Sequence, residues 1–155
     1  MKDDMVRSQK VKPVHQAAEF DLNPLGSDDD MFRWFLLCFM LGKPIQSSVA
    51  VNTWQLFIAK GLDTPWAILE KSERQLASVL RQGKYTRYQH VMARALHTCM
   101  RQLVTLYEGS LLLMLEVSQD EDEFSRRLQK LHGVGPKTAQ IIMRETEEFF
   151  AERVV

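Results

Sequence analysis

Apolar residues along this sequence recur at three- and four-residue spacing, the period of one helical face. Nowhere do they alternate with polar residues long enough to predict a strand hairpin. The densest run, Met31 to Leu41, follows Ser27-Asp28-Asp29-Asp30, a capping-box-like start whose carboxylates complement the positive end of a helix dipole. It predicts a buried central helix. A second helix follows Pro44 and ends near Lys60, with Val49, Thr53, Leu56 and Phe57 facing inward and Gly61 as its stop. Thr64-Pro65 opens a short third helix, and Ser72 caps a fourth that buries Leu76, Ala77, Val79 and Leu80 before Gly83. A fifth, from Arg87 to Tyr107, lines up Tyr88, Val91, Met92, Ala95, Cys99 and Leu103 ahead of Gly109, and Ser110 caps a sixth through Val117.

Two further helices follow. Phe124, Leu128 and Leu131 mark an amphipathic helix from Asp120; Ala139, Ile142, Met143, Thr146, Phe149 and Phe150 mark another from Pro136 onward. The expected fold is therefore all-α, a six-helix bundle completed by a C-terminal helical pair over residues 120–153. Residues 1–26 mix charge with Pro13, Pro24 and Gly26, which predicts an extended or poorly ordered arm that packs through Phe20, Leu22 and Leu25. Residues 27–155 form the helical domain. Trp34, Trp54 and Trp66 fall on apolar faces and are expected in the core.

Composition narrows the chemistry. With 155 residues and zero formal net charge, any polyanion contact must come from a local patch rather than the field of the whole molecule. Two cysteines, Cys38 and Cys99, are too few for an iron–sulfur cluster or a cysteine-built zinc site, and both sit in apolar helical patterns. No cofactor is expected. Consecutive Asp28, Asp29 and Asp30 point in different directions, and His90 and His97 share a helix without a third ligand, so no metal site is expected either. The acidic amino terminus lacks an apolar stretch after it, and the Met31–Leu41 run is about half the roughly 20 residues that span a bilayer. A cytoplasmic location without membrane contact is the expectation.

The informative segment is Leu131-His132-Gly133-Val134-Gly135-Pro136-Lys137-Thr138-Ala139. Gly133 and Gly135 allow positive φ and close backbone approach, with Val134 turned into the interhelical core between them. Pro136 suits a first helical turn. The N–H groups of Gly135, Lys137 and Thr138 are then free of intrahelical acceptors at a positive dipole end, a setting for a phosphate oxygen. Such contacts position a protein on nucleic acid without reading its sequence. Lys43, Lys84 and Arg87 flank helix ends and are further candidate phosphate contacts, with Tyr85 or Tyr88 available to stack on a base.

This segment strongly resembles the helix-hairpin-helix signature of DNA repair and recombination proteins. Met31-Phe32-Arg33-Trp34-Phe35-Leu36-Leu37, Ser48-Val49 and Gly83-Lys84-Tyr85, at their distances from it, look like the six-helix half of the endonuclease III-like DNA glycosylases over about residues 28–150. The resemblance implies duplex DNA as partner, damaged or abasic DNA as substrate class, and base-excision repair as process. It also places Lys137 where bifunctional members carry the lysine that attacks the sugar. The chain departs from the family in three respects. The spacing to the family's catalytic aspartate reaches Val155, and no aspartate follows Asp122. The second helical domain and its cysteine cluster have no counterpart in the sequence. Lys43 stands where the family has its DNA-probing glutamine. Binding of duplex backbone is the leading reading. A glycosylase/AP lyase using Lys137, acting without the usual aspartate or with a protein partner supplying the missing part of the cleft, is the second, and a noncatalytic protein-interaction adaptor is the third.

Overall fold

In the computed structural model, which describes residues 15–153, every regular element among the described residues is helical. Two 3-10 turns, Ala17–Phe20 and Pro24–Gly26, precede α1 (Asp28–Leu41), α2 (Ser47–Ala59), α3 (Pro65–Leu69), α4 (Glu73–Gln82), α5 (Gln89–Tyr107), α6 (Leu111–Val117), α7 (Glu121–Gln129), α8 (Pro136–Met143) and α9 (Glu147–Arg153). Most starts follow from the residue at the cap. Thr64 Oγ1 accepts from Ala67 N at 3.1 Å, and Asp120 Oδ1 from Glu123 N at 2.9 Å. Ser72 and Gln75 satisfy each other's backbone N–H at 3.1 and 2.9 Å, a complete capping box. Each such cap stabilises its helix by about 1 kcal/mol. At α1 the box is only half formed. Ser27 Oγ accepts from Asp30 N at 3.1 Å, but the Asp30 carboxylate turns to Asn23 N at 2.9 Å and holds the preceding 3-10 turn instead.

Helix α1 is the axis of the core. From Met31 to Leu41 every residue except Arg33 is buried, and α2, α6, α8 and the Pro24–Gly26 turn pack around it. Arg33 escapes burial through a two-pronged contact with Asp63 Oδ2, at 3.0 and 2.9 Å. Trp34 and Trp54 are buried as expected, and their indole N–H groups find carbonyls at Ile142 (3.2 Å) and Arg33 (2.8 Å). Trp66 is not a core residue. It is 51 % exposed and lies over Gly109, where a Cβ would run into its ring.

The segment after Pro136 does not form one helix but two. Around Arg144–Thr146 the ladder tightens to i→i−3 bonds: Arg144 N to Ile141 O, Glu145 N to Ile142 O and Thr146 N to Met143 O, each 3.2 Å. At this corner the Ile142 carbonyl accepts the Trp34 indole N–H as well as Glu145 N, and buried Thr146 turns its hydroxyl back to Met143 O at 3.3 Å. The chain then bends so that Phe150 meets Phe124 of α7, ring centroids 6.0 Å apart, and Arg153 donates to Ser118 O at 2.6 Å.

The described part of the expected arm packs through Phe20, Leu22 and Leu25. Residues 15–26 belong to the packed body: Ala17 is fully buried and donates its N–H to Glu145 Oε2 at 3.0 Å, and Phe20 meets Trp54 edge-on at 5.3 Å. Residues 1–14 of that arm, together with Val154 and Val155, lie outside the described residues. No helix among the described residues is long and apolar enough to cross a membrane.

Candidate nucleic-acid interface

Between α7 and α8 the chain reverses through residues 130–135, and the two helices pack on each other. Leu131 N bonds to Leu128 O at 3.0 Å and Val134 N to Leu131 O at 3.1 Å, closing the turn, while the Leu131 and Val134 side chains are buried. Gly133 has φ +87, and a Cβ there would come within 2.6 Å of Phe39 Cζ, so both backbone conformation and space demand glycine. Gly135 differs from the sequence expectation. Its φ of −98 and ψ of −174 are ordinary extended values that suit a residue before proline. A Cβ on it would meet nothing within 4 Å. The space in front of Gly135 is therefore open to a ligand, and the turn itself does not require glycine there.

Pro136 is the first residue of α8, and Gly135 O accepts from Ala139 N at 3.0 Å. The N–H groups of Gly135, Lys137 and Thr138 have no hydrogen-bond acceptor among the described residues. They form the expected cluster of orphan donors at the start of an eight-residue helix. Lys137 projects from the same turn, exposed, with no hydrogen bond or ion pair among the described residues. Thr138 is 2 % exposed and its hydroxyl packs on Gly42, so it offers a ligand only its backbone. Val134 offers less still, because its side chain is buried and its N–H already bonded. It is a packing residue of the turn rather than a contact.

No protein-family model and no curated protein matches this chain.

The other sequence-selected residues divide into two groups. Lys43 is half-buried, donates from Nζ to Gly133 O at 3.0 Å and lies 5.1 Å from the Phe39 ring centroid; burial lowers its pKa below the ordinary lysine value. Lys84 and Arg87 are exposed on the α4–α5 loop, with the Arg87 guanidinium 5.3 Å from the Tyr88 ring. That loop is anchored at the end of α1 nearest the turn, since Tyr85 Oη donates to Met40 O at 3.2 Å. Tyr85 is wholly buried and cannot stack on a base; burial drives its hydroxyl pKa upward. Tyr88 is half-buried and remains available. One residue that sequence reasoning missed is Gln102 of α5, whose Oε1 accepts from His132 N at 2.7 Å.

Helix α4 ends in a Schellman motif, with Lys84 N on Arg81 O and Tyr85 N on Leu80 O, both 2.9 Å. The left-handed position falls on Lys84, φ +71, rather than on Gly83, which is reserved for close approach: a Cβ there would lie 2.9 Å from Thr53 Cα. Lys84→Gly is therefore expected to raise stability by up to about 1 kcal/mol in urea unfolding. If Lys84 touches phosphate, the same variant loses DNA affinity while gaining stability, which separates the two roles in one protein.

Among the described residues no group of three or more His, Cys, Asp or Glu side chains is placed to hold a metal. His97 Nε2 lies 3.0 Å from Lys71 O, and its Nδ1 lies 2.8 Å from Arg101, so that ring ties α5 to the end of α3. Cys38 and Cys99 are free, buried thiols whose pKa values burial pushes up. The Glu145 carboxylate is engaged by Ala17 N, and none of the carboxylates of α9 pairs with Lys137.

Proposed function

We propose that this protein binds the backbone of duplex DNA through the α7–α8 turn, as a helix-hairpin-helix module on a body like the six-helix half of the endonuclease III-like glycosylases. The observation that carries the reading is the cluster of N–H groups of Gly135, Lys137 and Thr138 without an acceptor among the described residues, beside an exposed lysine side chain and an unobstructed glycine. A phosphate oxygen accepts such donors at a helix start, and the contact is independent of base sequence. Damaged or abasic duplex is the substrate class the resemblance implies, with base-excision repair as its process. Lys84 and Arg87, on a loop tied to the same end of α1, extend the positive character of that end.

The test is a salt titration of duplex binding by wild type and Lys137→Ala, run beside borohydride trapping on a duplex with one abasic site. The expected result is salt-dependent binding without a covalent adduct, and a slope of log K against log salt reduced by about 0.9 in Lys137→Ala. A Lys137-dependent adduct would instead establish AP-lyase chemistry, in which the amine attacks the sugar and the strand is cut by β-elimination. Absence of both binding and adduct would favour an adaptor. That second reading has an observation of its own: a groove of about 660 Å³ along the outer side of α7 and α8, carrying Glu121, Asp122 and Glu147 against a single Arg144. Its charge opposes DNA and suits a basic protein segment.

A further inference from the structure

An anion-binding turn must present N–H groups and keep its carbonyls turned away, since a carbonyl dipole facing a phosphate repels it. In the turn after α7, side chains from two other elements take up backbone groups that would otherwise be free to reorient. Lys43, in the loop after α1, donates to Gly133 O at 3.0 Å. Gln102, on α5, accepts from His132 N at 2.7 Å and reaches Lys130 O with its amide nitrogen at 3.5 Å. Beneath them Phe39 of α1 fills the space left by the missing Gly133 side chain, and the Lys43 amine lies over the same ring. Gly133 O and the N–H groups of His132 and Val134 are thus bonded, whereas the N–H groups of Gly135, Lys137 and Thr138 have no acceptor among the described residues.

We infer that Lys43 and Gln102 are positioning residues that hold the turn in its anion-accepting shape before any ligand arrives, and that Lys43 acts on DNA through Gly133 rather than by touching phosphate. The preorganisation concerns the free protein; only its effect on affinity rests on the DNA-binding reading. Preformed donors bind more tightly because the ordering cost is met during folding. The two residues differ in charge, and that difference makes the inference testable. A lysine that neutralises a phosphate releases a counterion and steepens the salt dependence of binding, whereas one that holds a carbonyl does not.

The 155-residue chain is compared with Lys43→Met, Lys43→Arg and Gln102→Leu. In the free protein, the readout is amide exchange at Val134, whose N–H closes the turn on Leu131 O. Lys43→Met and Gln102→Leu are each expected to speed that exchange roughly tenfold, with cooperative unfolding retained and Lys43→Arg restoring protection. On a short DNA duplex, both are expected to lose affinity by roughly tenfold with no change in salt slope. Unchanged Val134 exchange in both variants overturns the inference. So does a slope reduced by about one unit in Lys43→Met, the mark of a lost phosphate contact. Should Lys43→Met fail to fold, Gln102→Leu and Lys43→Arg decide. Should wild type fail to bind DNA, Val134 exchange still decides the clamp while the functional reading falls.

Discussion

Alanine at Gly133 is expected to lower the unfolding free energy by about 3 kcal/mol, whereas alanine at Gly135, two residues on, leaves stability unchanged or raises it by about 0.5 kcal/mol. At Gly133 two costs add. An L-residue at φ +87 is strained by about 1–2 kcal/mol, and a methyl 2.6 Å from Phe39 Cζ forces a shift in a packed core, worth about 1–3 kcal/mol more. A loss near the middle of that sum moves the melting temperature of a chain this size by roughly 10 °C. At Gly135 neither cost arises, because its extended backbone suits alanine before proline and the new methyl meets no protein atom. DNA affinity should nonetheless fall at least tenfold in Gly135→Ala, since that methyl enters the space from which a phosphate reaches the N–H groups of α8. Urea unfolding and duplex binding on the two variants provide the check. Wild-type affinity in a stable Gly135→Ala protein would remove the α8 start from the interface.

The contrast between these glycines shows where sequence reasoning reached and where it stopped. Caps such as Ser72, or Thr64 before Pro65, were legible because donor and acceptor lie within one turn of chain. The apolar stripe of α1 was legible for the same local reason. What escaped depends on residues far away in sequence. Nothing in Arg144-Glu145-Thr146 announces a helix break; the indole bonded at that corner belongs to Trp34, 108 positions from Ile142. The end of α4 at Gly83 was legible, but its left-handed residue is Lys84, while Gly83 lies against Thr53 of another helix.

The candidate site divides the same way. The donor cluster at Gly135, Lys137 and Thr138 follows from Pro136 and helix geometry, so it was readable. The burial of Tyr85, the commitment of Lys43 to Gly133 and the support from Gln102 were not, because each is a contact between separate elements. Lysine beside a helix end reads as surface charge until its neighbours are known. In this fold its neighbours are a carbonyl and a phenyl ring.

Removing the side chain of Trp34 should destabilise the protein even more than a methyl at Gly133. Trp34 packs at the middle of α1 and is wholly hidden from solvent, so Trp34→Ala is expected to cost about 4 kcal/mol, a large share of an ordinary domain's roughly 5–15 kcal/mol. Part of that cost is the cavity; part is the lost indole hydrogen bond to Ile142 O, which keeps only Glu145 N as donor. Trp34→Phe removes the N–H together with part of the ring, for an expected loss of about 1–3 kcal/mol. The consequence reaches the site because α8 is held on α1 at both ends, by Trp34 on Ile142 and by Thr138 against Gly42. Loosening the far end lets the α8 start, and with it the Gly135–Thr138 donors, move relative to Lys43 and Gln102. Trp34→Phe should therefore weaken duplex binding while leaving the salt slope unchanged, as no phosphate contact is lost. Affinity identical to wild type in a measurably destabilised Trp34→Phe protein would mean that the donors keep their places without the Trp34 indole bond.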